Sequence, residues 1–205
     1  MQAIDFLFAG GILIMSVVVH EVSHGYAALM FGDKTAQYAG RLTLNPLKHL
    51  DPLGSIVAPI ISYMTGGMLF GWAKPVPYNP YNFTIPNRKL GEAIVALAGP
   101  GANIALALIF GLLIRFFGTS LPYSFISLAA LLVISNLVLA IFNLTPIPPL
   151  DGSKILFYFL PPLGGARAFF EQNGLILAIL FLVFLWPLLS PVVTFFFSLI
   201  TGIGV

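Results

Sequence analysis

Four apolar stretches, each long enough to cross a hydrocarbon layer roughly 30 Å thick, leave this chain little choice but to fold in a lipid bilayer. They run from about Ile4 to Phe31, from about Leu90 to Phe117, from about Tyr123 to Phe142 with a continuation through Leu160, and from about Gly174 onward. Of 205 residues, 8% are charged and 59% hydrophobic. Soluble domains carry roughly 25% charged and 45–50% apolar residues. So few charges cannot cover a water-facing surface. The fold expected is an all-α polytopic membrane protein with about four to six transmembrane helices, organised as one domain over residues 1–205.

The interruptions are as informative as the runs. Residues Pro52 to Phe70 are apolar but broken by Pro59 and Gly66-Gly67, and the GWAKPVPYNPYNF segment that follows is too rich in Pro and Asn to be helical. Gln37 to Leu44 alternates loosely and reads as a small membrane-associated β segment. Pro187 and Pro191 leave the C-terminal region, about 172–205, open to two readings, one kinked helix or a hairpin. The net charge of +2 argues for neither nucleic acid nor an acidic partner, and the absence of cysteine excludes disulfides and thiolate metal ligands. Met1 to Phe8 lacks a basic secretory n-region, so the first apolar stretch reads as a retained helix.

Within that first helix lies His20-Glu21-Val22-Ser23-His24. Helical residues four apart share a face, so both imidazoles can reach one metal ion, with Glu21 beside a water on that ion. Zinc accepts imidazole and carboxylate ligands and leaves a position open for water. The bland alternative is a pair of helical histidines bonded to neighbouring helices. It is weakened by setting, because three ionisable groups at metal-binding spacing inside an apolar helix are costly to keep.

Two histidines need a third protein ligand, usually a carboxylate. Asp151 follows the proline-broken run Asn143-Leu144-Thr145-Pro146-Ile147-Pro148-Pro149-Leu150 and precedes Gly152. A broken helix at membrane depth is tolerated where protein or a polar cavity surrounds it, so an aspartate there is placed to deliver a ligand. The alternative, Asp151 as an N-cap for the helix that resumes at Ser153, stays open on local sequence. His49 is redundant as a ligand, and structural hydrogen bonding or a gating contact is expected of it. Trp72 and Tyr78 read as interfacial anchors.

The two motifs together resemble the site-2 protease family of intramembrane zinc metalloproteases. HEVSH at 20–24 is similar to the family's first motif and NLTPIPPLDG at 143–152 to its second, and GWAKPV recurs in compact members without a PDZ domain. The resemblance covers most of the chain through Leu160. It implies one zinc ion per chain held by His20, His24 and Asp151, Glu21 as general base, Asn143 near the site holding substrate or the oxyanion, and a catalytic core over about 4–160. It also implies hydrolysis of peptide bonds within or near transmembrane segments, as in regulated intramembrane proteolysis. Asn103, in the small-residue stretch Ala98 to Asn103, is a second candidate oxyanion donor.

For the motifs to meet, the first and third runs must descend together with one crossing between them. Pro52 to Phe70 is therefore expected to re-enter and return rather than cross. Lys34, Arg41, Lys48, Lys74, Arg88, Lys89 and Arg167 then fall on one side, with Lys154 close to it and Arg115 near the other. Positive-inside bias makes that side cytoplasmic, in a multi-pass protein of the cell membrane. Gln37 to Leu44 would offer an edge to which an extended substrate adds as a strand.

Overall fold

The computed structural model describes residues 3–51, 54, 73–160, 165–181, 184 and 186–204. Among them are α1 (Ala3–Met30), α2 (Thr35–Tyr38), α3 (Arg88–Phe117), α4 (Tyr123–Asn143), α5 (Asp151–Phe159), α6 (Gly165–Leu180) and α7 (Trp186–Thr201). Among the described residues, three helices are long and apolar enough to cross a membrane, at Phe8–Met30, Arg88–Ser120 and Tyr123–Asn143, with a shorter apolar helix at Leu189–Thr201. The chain is a helical polytopic membrane protein. Side chains such as Ile104, Leu108, Ile109 and Leu112 of α3 face outward uncovered, as a lipid-facing surface requires.

Local chemistry sets the element ends. The 28-residue α1 contains no proline and stops at Gly32, whose φ of +95° turns the chain in a conformation L side chains rarely adopt. Asn87 starts α3 by accepting a hydrogen bond from the Leu90 N–H on its side-chain oxygen. Pro100 inside α3 is fully buried, so the carbonyl it leaves unpaired is kept away from lipid.

Helices α1 and α3 pack antiparallel in a register readable from their contacts. Val95 meets His24, Gly99 meets both histidines, and Asn103 meets His20 and Ser16. Each step of four residues up α3 is a step of about four back along α1, one turn apiece. Asn136 of α4 bonds both Asn103 and Ser16. Because α3 is antiparallel to α1 and turns directly into α4 through residues 118–122, α1 and α4 run in the same direction, as the motif argument requires.

The larger apolar cluster lies towards the end away from the motifs, where Ala107 and Ile114 of α3, Val133 and Leu137 of α4, and Val193 and Phe197 of α7 pack together, and a smaller one, Ala28, Phe83 and Val95, lies at the motif end. The C-terminal helices follow one another along the bundle. Gly174 lies against Pro148, Phe181 against Phe142, and Ile200 against Gly111, while Arg115 donates to the Leu199 carbonyl. This is one passage from the motif end to the far end, not a hairpin.

The expected β segment is not confirmed, and no strand occurs among the described residues. Gln37 and Tyr38 belong to α2, and the chain then folds on itself. Gly40 adopts φ +63°, and the N–H groups of Gly40 and Arg41 donate to the Gln37 and Ala36 carbonyls. The N–H groups of residues 38–41 are thus spent on local carbonyls. The expected re-entrant stretch, Pro52 to Phe70, lies outside the described residues save Gly54, as does Trp72.

Candidate metal centre

Three side chains from two distant helices converge at the motif end. His20 Nε2 lies 3.2 Å and His24 Nε2 3.1 Å from the same Asp151 oxygen, and the two Nε2 atoms are 3.1 Å apart. All three residues are buried, and their ligand atoms form the group among the described residues able to hold a metal ion. Tetrahedral zinc with ligands at roughly 2.0–2.1 Å separates its ligand atoms by roughly 3.3–3.4 Å. The observed triangle is of that size.

Hydrogen bonding dictates which imidazole nitrogens carry protons. The Ser16 carbonyl can only accept, so the Asn103 amide nitrogen faces it at 3.3 Å, and Asn103 Oδ1 therefore faces His20. His20 Nδ1–H donates to that oxygen at 2.6 Å, and His24 Nδ1–H donates to the Val95 carbonyl at 2.6 Å. In the neutral rings both Nε2 atoms are then lone pairs. Two lone pairs and a carboxylate oxygen facing one another with no proton between them repel, and a single cation satisfies all three at once. The donor set fits zinc.

The support extends further into the bilayer-depth interior. Asn103 also donates to Asn136 Oδ1 at 2.7 Å, and Asn136 donates to Ser16 Oγ and to the Leu132 carbonyl, both at 2.9 Å. Asn103 and Asn136 are fully buried. The expectation that Asn103 donates to an oxyanion is corrected here, because its oxygen and its amide nitrogen are already spent on His20, Asn136 and Ser16. Sequence reading passed over Asn136 and Ser16, although a polar residue deep in an apolar helix is itself a signal.

Two glycines make the approach possible. A Cβ on Gly99 would sit 2.6 Å from His24 Cε1 and 2.7 Å from His20 Cε1, so only glycine lets α3 pass the imidazoles at this distance. A Cβ on Gly152 would collide with the backbone of Leu144 and Thr145. The Asp-Gly pair thus lets α5 begin tightly under the end of α4. Asp151 is the first residue of α5, after Leu150 at the cap position, and its carboxylate points to the histidines rather than capping the helix. Its second oxygen lies 3.5 Å from Lys154 Nζ, which sits over the Tyr78 ring at 5.3 Å. Tyr78 stacks on Phe83, so it supports the site from beneath. A cavity of about 360 Å³ is lined by Lys89, Glu92, Pro149, Ser153, Lys154 and Tyr158.

Glu21 is half-buried, and its Oε2 accepts from the Val76 N–H at 2.8 Å. Asn143 donates to the Leu139 carbonyl of its own helix at 2.9 Å, and among the described residues its amide makes no bond to the triad. His49 is fully buried outside the triad, and its Nε2–H donates to the Thr43 carbonyl at 2.8 Å, as a structural residue does. Asp33 also serves structure. Burial opposes its ionisation, but the Thr35 hydroxyl, the Asn82 amide and the N–H groups of Asn79 and Thr35 outweigh that and hold its carboxyl below the usual value.

Known sequences resemble this chain. The profile of peptidase family M50 matches residues 114–187. YwhC of Bacillus subtilis is 40% identical over 87% of this chain and 84% of its own length. Rip2 of Mycolicibacterium smegmatis is 34% identical over 83% of this chain and 64% of its own length, and Rip2 of Mycobacterium tuberculosis 31% identical over 86% and 66%. The chain thus spans slightly less than two thirds of either Rip2 protein. All three are named as zinc metalloproteases. No solved structure matches the chain.

Proposed function

This chain belongs to peptidase family M50, the zinc metalloendopeptidases of the site-2 type, and we propose that it hydrolyses peptide bonds within or beside transmembrane segments of other membrane proteins, as in regulated intramembrane proteolysis. His20, His24 and Asp151 would hold one zinc ion per chain. The observation that carries this is the trio of facing acceptors, each histidine with its Nδ1 proton committed elsewhere.

When bound there, zinc lowers the pKa of water towards about 7 and polarises a carbonyl oxygen. The chain's own groups do the rest. Glu21 accepts the proton of the attacking water on its carboxylate and returns it to the departing amine nitrogen as the C–N bond breaks. The Val76 N–H holds one Glu21 oxygen, leaving the other for the proton. Asn143, half-buried where α4 ends, spends one amide hydrogen on Leu139 and has a second for the developing oxyanion, where one donor is worth roughly 3–4 kcal/mol. Lys154 bonds the Asp151 oxygen that does not face the histidines, fixing the carboxylate's orientation.

Residues 1–205 act as one domain in this reading, with the cell membrane as its place and the site towards the cytoplasm, where the cluster of basic residues lies. Purified protein in proteoliposomes, given a model transmembrane peptide, should cleave it, stop on chelation and recover with zinc. Glu21→Gln should retain zinc at one per chain and lose cleavage. Full cleavage by Glu21→Gln would defeat the assignment.

A further inference from the structure

Between the metal helix and α3 runs Lys74-Pro75-Val76-Pro77. Prolines at 75 and 77 push the residues before them, Lys74 and Val76, to extended backbone. They also remove two N–H groups, so this stretch owns only two backbone donors. Both have a single assigned partner. The Lys74 N–H donates to the His49 carbonyl at 2.9 Å, and the Val76 N–H to Glu21 Oε2 at 2.8 Å.

The carbonyls are held from the other side. Arg41 Nη2 donates to the Lys74 carbonyl at 2.6 Å and to the Pro75 carbonyl at 3.4 Å. Arg41 is 6% exposed and appears in no ion pair among the described residues. A guanidinium kept nearly dry with carbonyls as its partners is expensive, so its retention needs a reason in what those carbonyls position. The strap also lies hard against the metal helix. A Cβ on Gly25, the residue after His24, would fall 2.9 Å from Val76 Cγ1 and 2.6 Å from Leu42 Cδ2. Nothing bulkier than glycine lets the strap sit this close to the metal helix.

We propose that Arg41 is a positioning residue for Glu21: its guanidinium clamps the 74–76 strap, whose last N–H fixes one oxygen of the Glu21 carboxylate. The inference rests on Glu21 being the general base of the proposed peptidase. Proton transfer needs the base at a set distance from the water, and a misplacement of about 1 Å can cost about 100-fold. Arg41 touches neither substrate nor the metal ligands, and the strap carries its effect.

The test uses full-length zinc-loaded protein and three variants, Arg41→Ala, Arg41→Lys and Val76→Pro, the last deleting the N–H that Glu21 accepts. Arg41→Ala and Val76→Pro should each lower kcat by about 10–100-fold with KM changed less than twofold and zinc at one per chain. Arg41→Lys, which keeps a cation able to reach one carbonyl, should recover part of the loss. The double variant should be no worse than the poorer single one, because both cut the same link. Amide exchange gives a readout free of activity, in which the Val76 N–H, protected in the parent, should exchange freely in Arg41→Ala. Wild-type kcat in folded Arg41→Ala, a loss carried by KM, additive losses, or an unchanged Val76 amide would each overturn the inference. Wild-type protein that binds zinc but cleaves nothing would instead fail the peptidase reading, a result separable from these. If Arg41→Ala does not fold, Val76→Pro and Arg41→Lys still decide the matter through kcat.

Discussion

Replacing Asn103 by Leu isolates what the buried amide network contributes to the metal site. Three bonds between helices disappear, from His20 Nδ1 at 2.6 Å, to Asn136 at 2.7 Å and to the Ser16 carbonyl at 3.3 Å. Such bonds in membranes average roughly 0.6 kcal/mol each, so stability should fall by about 2 kcal/mol. The effect on zinc is separate. Without an acceptor at Nδ1, the His20 proton is free to move to Nε2, where it occupies the lone pair that faces Asp151 and His24. Loss of such an orienting partner costs about 10–100-fold in affinity, or about 1.4–2.7 kcal/mol. Chelator competition on folded protein in detergent measures the zinc affinity, and denaturant unfolding the stability. Asn103→Asp separates them, because a carboxylate still accepts from His20 Nδ1 but donates nothing to Ser16 or Asn136. It should keep most of the zinc affinity and lose stability. A Leu variant that binds zinc as tightly as the parent, or an Asp variant as weak as Leu, would refute the tautomer argument.

Gly99→Ala should drive the imidazoles apart and leave zinc substoichiometric by metal analysis, whereas Gly101→Ala, with nothing within 4 Å of its Cβ, should bind zinc normally. Gly152→Ala meets the Leu144 and Thr145 backbone, which cannot swing away like a side chain, so reduced zinc content and a lowered unfolding midpoint are expected together. Asp33→Asn should cost about 1–3 kcal/mol at neutral pH by leaving buried donors poorly matched. Because the folded pKa of Asp33 is depressed, its ionised form contributes stability above the unfolded value of about 4, lost as pH falls through the folded one. The gap between parent and Asn variant in unfolding free energy should therefore narrow below about pH 4, and a gap constant down to pH 2 would show that ionisation of Asp33 does not matter.

The helical membrane architecture and the triad were legible in the sequence for a common reason. Both are announced by a contradiction between a residue and its surroundings. Uninterrupted apolar runs without charge admit few folds, and His20, Glu21 and His24 inside such a run demand a partner. Asp151 was found the same way, as a carboxylate after a helix broken by prolines at depth. Weaker contradictions gave weaker readings. Gln37 to Leu44 alternates loosely, but two buried anchors, Ala36 and Arg41, and a positive φ at Gly40 turned it into a short helix and a turn. Tertiary contacts outvoted a two-residue period.

What stayed illegible is the direction in which amides point. Asn143 opens the second motif and Asn103 lies in the small-residue stretch between the two motifs, and either can serve an oxyanion on composition alone. Register decides between them. Asn103 falls on the α3 face that crosses α1 one turn before His20, where Ser16 and Asn136 consume it, while Asn143 falls at the end of α4 with its amide turned to its own helix. The same logic applies to the two cation–carbonyl contacts at the ends of the bundle. Arg115 closes the far end on Leu199, away from the metal, and is a fastening of helices. Arg41 grips a strap whose next N–H lands on Glu21, so an equally plain contact becomes a candidate for control of the chemistry. Position relative to the triad, not the contact itself, separates a fastening from a part of the machine, and that position becomes readable once antiparallel α1 and α3 are set in register.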